Sequence, residues 1–85
     1  MNRKRLLRRL LRGQLQNASF RDMTNLLEGF GFQMIRKSGS RYIFGHPGIP
    51  GRINLQSSKG EAKPYQIRQF LRIVERYGLK LEDEG

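Results

Sequence analysis

The sequence predicts an α+β domain of order α-β-β-β-α, a three-stranded antiparallel sheet with two helices on one face, preceded by an extra basic helix. Three observations lead there. Residues 20–30 and 67–77 carry apolar side chains at helical spacing. Between them lie three short β-branched and aromatic runs, separated by Ser, Gly and Pro. Two apolar helix stripes and a one-sided sheet bury one another when both helices cover the same sheet face.

Residues 3–12 read as an amphipathic helix, with Leu6, Leu7, Leu10 and Leu11 on one side and Arg5, Arg8, Arg9 and Arg12 on the other. Gly13 is its expected stop. Its leucines can lie on the domain, its arginines can contact phosphates, or the whole helix can lie on a membrane surface. Ser19 is placed to cap the next helix, with Asp22 three residues on. Phe20, Met23, Leu26, Leu27 and Phe30 form its stripe, and Gly29 and Gly31 end it.

Residues 32–37 make a first strand, with Phe32 and Met34 set against Gln33 and Ile35. Ser38-Gly39-Ser40 is a turn, and residues 41–44 are the second strand. Residues 46–51, HPGIPG, predict a rigid loop, since each proline restricts itself and the residue before it. Residues 52–56 are the third strand, with Ile53 and Leu55 on one face, and residues 57–61 a polar loop. Pro64 opens the last helix. Ile67, Phe70, Leu71, Val74 and Tyr77 form its apolar face, Gln66, Arg68, Gln69, Arg72 and Arg76 point outward, and Gly78 caps it. The tail LKLEDEG is expected to fray. The organisation is thus a basic helix over residues 1–13, a domain over 19–79 and an acidic tail over 80–85.

A chain of 85 residues is sized for one domain with a small core. Seventeen Lys and Arg face seven Asp and Glu, a net charge of +10, and Glu82, Asp83 and Glu84 crowd the tail. A field of that sign favours polyanions, nucleic acid first among them. Cysteine is absent, which fits a cytoplasmic setting, and a lone histidine makes a metal site or cofactor unexpected. No apolar run approaches a spanning helix, so no membrane partner is expected. Arginines interrupt the N-terminus, which argues against a secretory signal and leaves an Arg-rich presequence open.

Lys59, Lys63 and Arg68 surround the start of the last helix, where backbone N–H groups already favour phosphate. That arrangement resembles double-stranded-RNA-binding domains. Lys37 and Ser40, beside the second strand, complete the candidate RNA-binding set. Tyr42, Phe44 and Tyr65 are candidates for stacking on bases. No Ser-His-Asp set can be assembled, and no glycine-rich phosphate loop opens a helix.

Residues 20–79 resemble the HicA toxins, RNA-cleaving partners in toxin–antitoxin pairs. The pieces that carry the resemblance are LLEGFGFQMIRKSGS, RYIFGHPG, INLQ and, most specifically, KGEAKPYQIRQFLRIVERYGL. It implies the double-stranded-RNA-binding-like fold, metal-independent endonucleolytic cleavage of mRNA, and a HicB-type antitoxin that covers the active site. The helix over residues 3–12 looks like an extension carried by some members.

In that family the catalytic residue is a histidine directly after Gly-Ser at the start of the second strand. Here Gly39-Ser40 is followed by Arg41. Histidine can exchange a proton near neutral pH. A guanidinium has no acceptor and keeps its proton, although it can hold a phosphate through two hydrogen bonds. The expectation is a chain that binds RNA and cuts it poorly or not at all. Arg41 is either a substitution that disarms a toxic protein or a native residue with activity lost or moved to His46. His46 itself reads as a turn residue before Pro47, or as the alternative proton carrier. Three functions compete: a disarmed RNA-cleaving toxin, a non-catalytic RNA-binding module, and a regulatory surface that docks an acidic partner.

Overall fold

In the computed structural model, which describes residues 1–82, helix α1 (Arg3–Leu11) starts at a side-chain cap. Asn2 accepts from Lys4 N at 2.8 Å and Arg5 N at 3.2 Å, satisfying two of the helix's free donors. Leu6 and Leu10, one turn apart, are each only 1 % exposed. Leu7 is half-buried and Leu11 is 67 % exposed, so the buried wedge is narrower than four leucines. α1 packs on α2 (Phe20–Gly29), so its apolar face is spent on the core. Ser19 Oγ accepts from Asp22 N at 3.0 Å, while the Asp22 carboxylate accepts from the Met1 ammonium at 3.1 Å. Met23, Leu26 and Leu27 are buried, and Gly31, at φ +93°, turns the chain out of the helix.

The sheet is antiparallel in the order β1 (Gln33–Ser38), β2 (Arg41–His46), β3 (Ile49–Ser58), β4 (Glu61–Ala62). It thus has four strands, not three. The stretch expected as a polar loop is a hairpin, with Ser57 paired to Ala62 and Ser58 to Glu61. Lys59 at φ +52° and Gly60 at φ +80° supply the two left-handed residues that a tight hairpin turn needs. The expected HPGIPG loop is also shorter: His46 pairs with Ile49, leaving Pro47-Gly48 as the turn. Gly51, at φ +89°, lets β3 run on past Pro50.

β1 departs from simple alternation. Phe32 precedes the strand and is buried, whereas Met34 and Ile35 are 54 % and 51 % exposed. The register shifts between Met34 and Arg36, a bulge that re-aims the side chains and sets Ile35 against Gly45.

Phe44 is fully buried, so Tyr42, Phe44 and His46 share the inner face of β2, and Arg41, Ile43 and Gly45 the outer. Phe44, Ile53 and Leu55 meet Met23, Leu26 and Leu27 of α2 and Ile67 and Phe70 of α3 (Pro64–Arg76). Phe30 and Phe32 both present edges to Phe70, at 5.5 and 6.0 Å between centroids. The chain after α3 docks instead of fraying: Leu79 and Leu81 pack on the core, and Glu82 N donates to Gly29 O at 2.8 Å. Tail residues 83–85 lie outside the described residues.

Candidate functional site

An antiparallel meander brings alternate turns to the same end. The β1–β2 turn, Ser38 to Arg41, and the β3–β4 turn at Lys59-Gly60 therefore share one end of the sheet. The start of α2 is tied there too, because Phe20 N donates to Gly60 O and Ala62 N to Ala18 O, both at 2.9 Å. Gln66, in the first turn of α3, completes the junction: its Oε1 accepts from Gln56 N at 2.6 Å. Gln56 is the cross-strand partner of Arg41. Arg41 is therefore held in register with the start of α3 through a single side chain.

Gln66 was expected to point outward. It is 4 % exposed, the one buried polar residue among those described. Its place four residues before Phe70, on the edge of the apolar stripe, was the available signal.

Lys37, Ser40, Arg41, Lys59 and Lys63 all lie at or beside the turns and the helix start of this end, Lys37 on the inner face with Tyr42 and Arg41 on the outer. Lys37 Nζ lies 5.3 Å from the Tyr42 ring centroid, and that ring packs on Phe20 at 4.6 Å. Lys63 is the N-cap of α3 without a side-chain cap, and no acid occupies the first turn. A cation at the positive end of a helix is unfavourable until an anion joins it. Tyr65, next to it, is 54 % exposed and free to stack. Phe44 is fully buried and unavailable to bases, and Tyr42 is half-buried under Lys37. Arg68 stands elsewhere: it lines a groove with Leu11, Leu71, Arg72 and Lys80.

His46 occupies the opposite end of β2, five residues from Arg41, or about 17 Å at a strand's rise. Its Nδ1 accepts from Gly48 N at 3.0 Å, which closes the β2–β3 turn. The ring meets Phe32 edge-on at 5.0 Å, and Nε2 faces Gly31 so closely that a Cβ there would lie 2.9 Å away. One nitrogen of His46 is thus in the turn and the other against a helix end, at the end of β2 opposite Arg41.

Among the described residues, no three His, Cys, Asp or Glu side chains gather as a metal site requires. Nor is any helix long and apolar enough to cross a membrane.

Residues 20–76 match a family model described as the HicA toxin of bacterial toxin–antitoxin systems. No curated protein and no solved structure matches the chain. The match spans both helices and every strand that build the Arg41 end, and it leaves α1 outside.

Proposed function

The chain belongs to the HicA toxins of bacterial toxin–antitoxin systems, and from that membership we propose that it acts on mRNA in the cytoplasm, as a metal-independent endoribonuclease whose cutting position is silenced by Arg41. One observation carries the reading. Arg41 follows Gly39-Ser40, where the resemblance puts the family's catalytic histidine, and it lies at the end of the sheet that also carries Lys37, Lys59 and Lys63. Among the described residues the one ion pair is Met1 with Asp22, so these cations have no carboxylate to neutralise them. They are left to an external polyanion, and the uncapped start of α3 adds backbone donors for its phosphates.

Cleavage without a metal begins when the ribose 2′-hydroxyl attacks the neighbouring phosphorus. Some group must take the hydroxyl proton, and another must protonate the departing 5′-oxygen. A guanidinium takes no proton. It does match a phosphate's oxygens with two parallel hydrogen bonds. Arg41 therefore holds the scissile phosphate of a bound RNA without cutting it. A HicB-type antitoxin is the partner that family membership implies, and its task is to cover this end.

The test is Arg41→His. Both proteins are incubated with mRNA, and the fragments are resolved by electrophoresis with EDTA present. Cleavage by the histidine variant and not by the parent is the expected result. Equal cleavage by both refutes the silenced site. Binding by both with cleavage by neither makes the chain a non-catalytic RNA-binding module.

A further inference from the structure

Helix α1 precedes the residues that match the family model, so family membership gives it no task. Its segment RKRLLRRLL has five basic residues in nine, Arg12 follows at the C-cap, and no acid lies in its first turn. Two of the arginines are engaged at home: Arg3 Nε donates to Asn25 Oδ1, and Arg9 donates to the Gln16 carbonyl. Lys4, Arg5, Arg8 and Arg12 are exposed and join no ion pair among the described residues. At about 100° per residue, Arg5, Arg8 and Arg12 fall within roughly 60° of arc, opposite Leu6 and Leu10. Their axial steps are about 4.5 and 6 Å, comparable to the spacing of phosphates along one strand.

This row works against the helix that carries it. Arg3, Lys4 and Arg5 sit at the positive end of the dipole, and Arg5–Arg8 and Arg8–Arg12 are like-charge neighbours. Leu6 and Leu10, with Leu7 beside them, serve the core, and Arg5, Arg8 and Arg12 do not. An external polyanion would relieve both penalties. A membrane fits poorly, because insertion needs the apolar face that the core has taken. A protein interface sets its arginines around a more apolar core, and no apolar side chain lies among Arg5, Arg8 and Arg12. The exposed Leu11 lies off the arcs of these arginines, in the groove against α3.

The start of α1 is tied to the Lys59 end of the molecule. The Met1 ammonium binds Asp22 in the first turn of α2, and that helix start is bonded to Gly60 beside Lys59.

We infer that α1 is a preorganised rail for the sugar–phosphate backbone, on which Arg5, Arg8 and Arg12 hold an RNA bound at the Lys59–Lys63 end without reading its sequence. This rests on the RNA reading above. The test measures binding of a fluorescent RNA hairpin by anisotropy, from 50 to about 200 mM salt, the range over which counterion release is read. Four full-length proteins are compared: the parent, Arg5→Gln/Arg8→Gln/Arg12→Gln, Lys59→Gln/Lys63→Gln, and a charge-matched control, Arg36→Gln/Arg52→Gln/Arg76→Gln.

Each lost phosphate contact lowers the logarithmic salt slope by about 0.7–0.9, so the α1 variant should lose about 2 from the slope and on the order of tenfold in affinity. Its thermal melt should stay in place or rise. The control should lose clearly less. If the α1 variant binds like the parent while Lys59→Gln/Lys63→Gln is impaired, the rail is refuted and RNA binding stands. If the parent itself binds no RNA, the functional reading fails and takes the rail with it. A control as weak as the α1 variant, or an α1 variant that loses only its antitoxin, also overturns the inference.

Discussion

Leu6 and Leu11 lie in one helix, yet one is 1 % and the other 67 % exposed. Replacing each with alanine makes the same change in helix propensity, so the difference between the two variants isolates burial. A buried Leu→Ala change costs about 2–5 kcal/mol, the lost transfer energy plus the cavity it leaves. Leu6 packs in the core cluster with Leu10, Met23 and Leu26, a site closed on all sides. We expect about 3 kcal/mol, against about 0.5 kcal/mol or less for Leu11→Ala. In a domain of this size 1 kcal/mol moves the midpoint by about 4–8 °C, so Leu6→Ala should melt about 12–24 °C below the parent. Losing Leu6 and Leu10 together would remove about 6 kcal/mol, comparable to the whole stability of a small domain. A chain lacking residues 1–13 should therefore fold poorly, although the family match begins at Phe20. The assay is thermal and urea unfolding followed by far-UV circular dichroism. Midpoints for Leu6→Ala and Leu11→Ala within a few degrees of each other would refute the placement of α1 in the core.

Gln66→Leu leaves Gln56 N–H without its acceptor and should cost about 1–3 kcal/mol, while exposed Gln69→Leu should cost almost nothing; equal melting points would contradict this. Gly31→Ala adds a left-handed strain of about 1–2 kcal/mol and pushes on His46, whereas Gly39→Ala meets open space and bears only the backbone strain. Gly31→Ala should thus be the less stable in urea, and a reversed order would remove His46 from that contact. In an Arg41→His background, adding His46→Ala should change the cleavage rate by much less than the roughly 10²–10⁴-fold that loss of a proton carrier costs; a loss of that size in gel-resolved rates would move the chemistry to His46.

The helices were legible because each repeats its apolar side chain every three or four residues and is bounded by residues with one conformational use. Ser19 and Pro64 open α2 and α3, and Gly31 and Gly78 lie just past their ends with positive φ. The sheet was less legible. β4 has two residues, too few for any period, and the bulge at Ile35 breaks the alternation of β1. The tail was misread because its docking depends on a carbonyl, Gly29 O, at the far end of another helix.

The site divides in the same way. The order Gly39-Ser40-Arg41 and the pair Lys59 and Lys63 before α3 are local, so, while Arg68 falls elsewhere, the chain alone pointed to the end of the molecule where the proposed site lies. It also determined that Arg41 cannot take a proton, since that follows from the side chain itself. What stands beside Arg41 was decided by register. One residue of slip would turn Arg41 to the other face and part it from Gln56 and, through it, from Gln66. Separation along a strand likewise settled that His46 and Arg41, five residues apart in sequence, belong to opposite ends. Whether α1 spent its leucines on the core or kept them for another surface was also a tertiary matter. An amphipathic period shows that a face needs covering, and only the packed neighbours show what covers it.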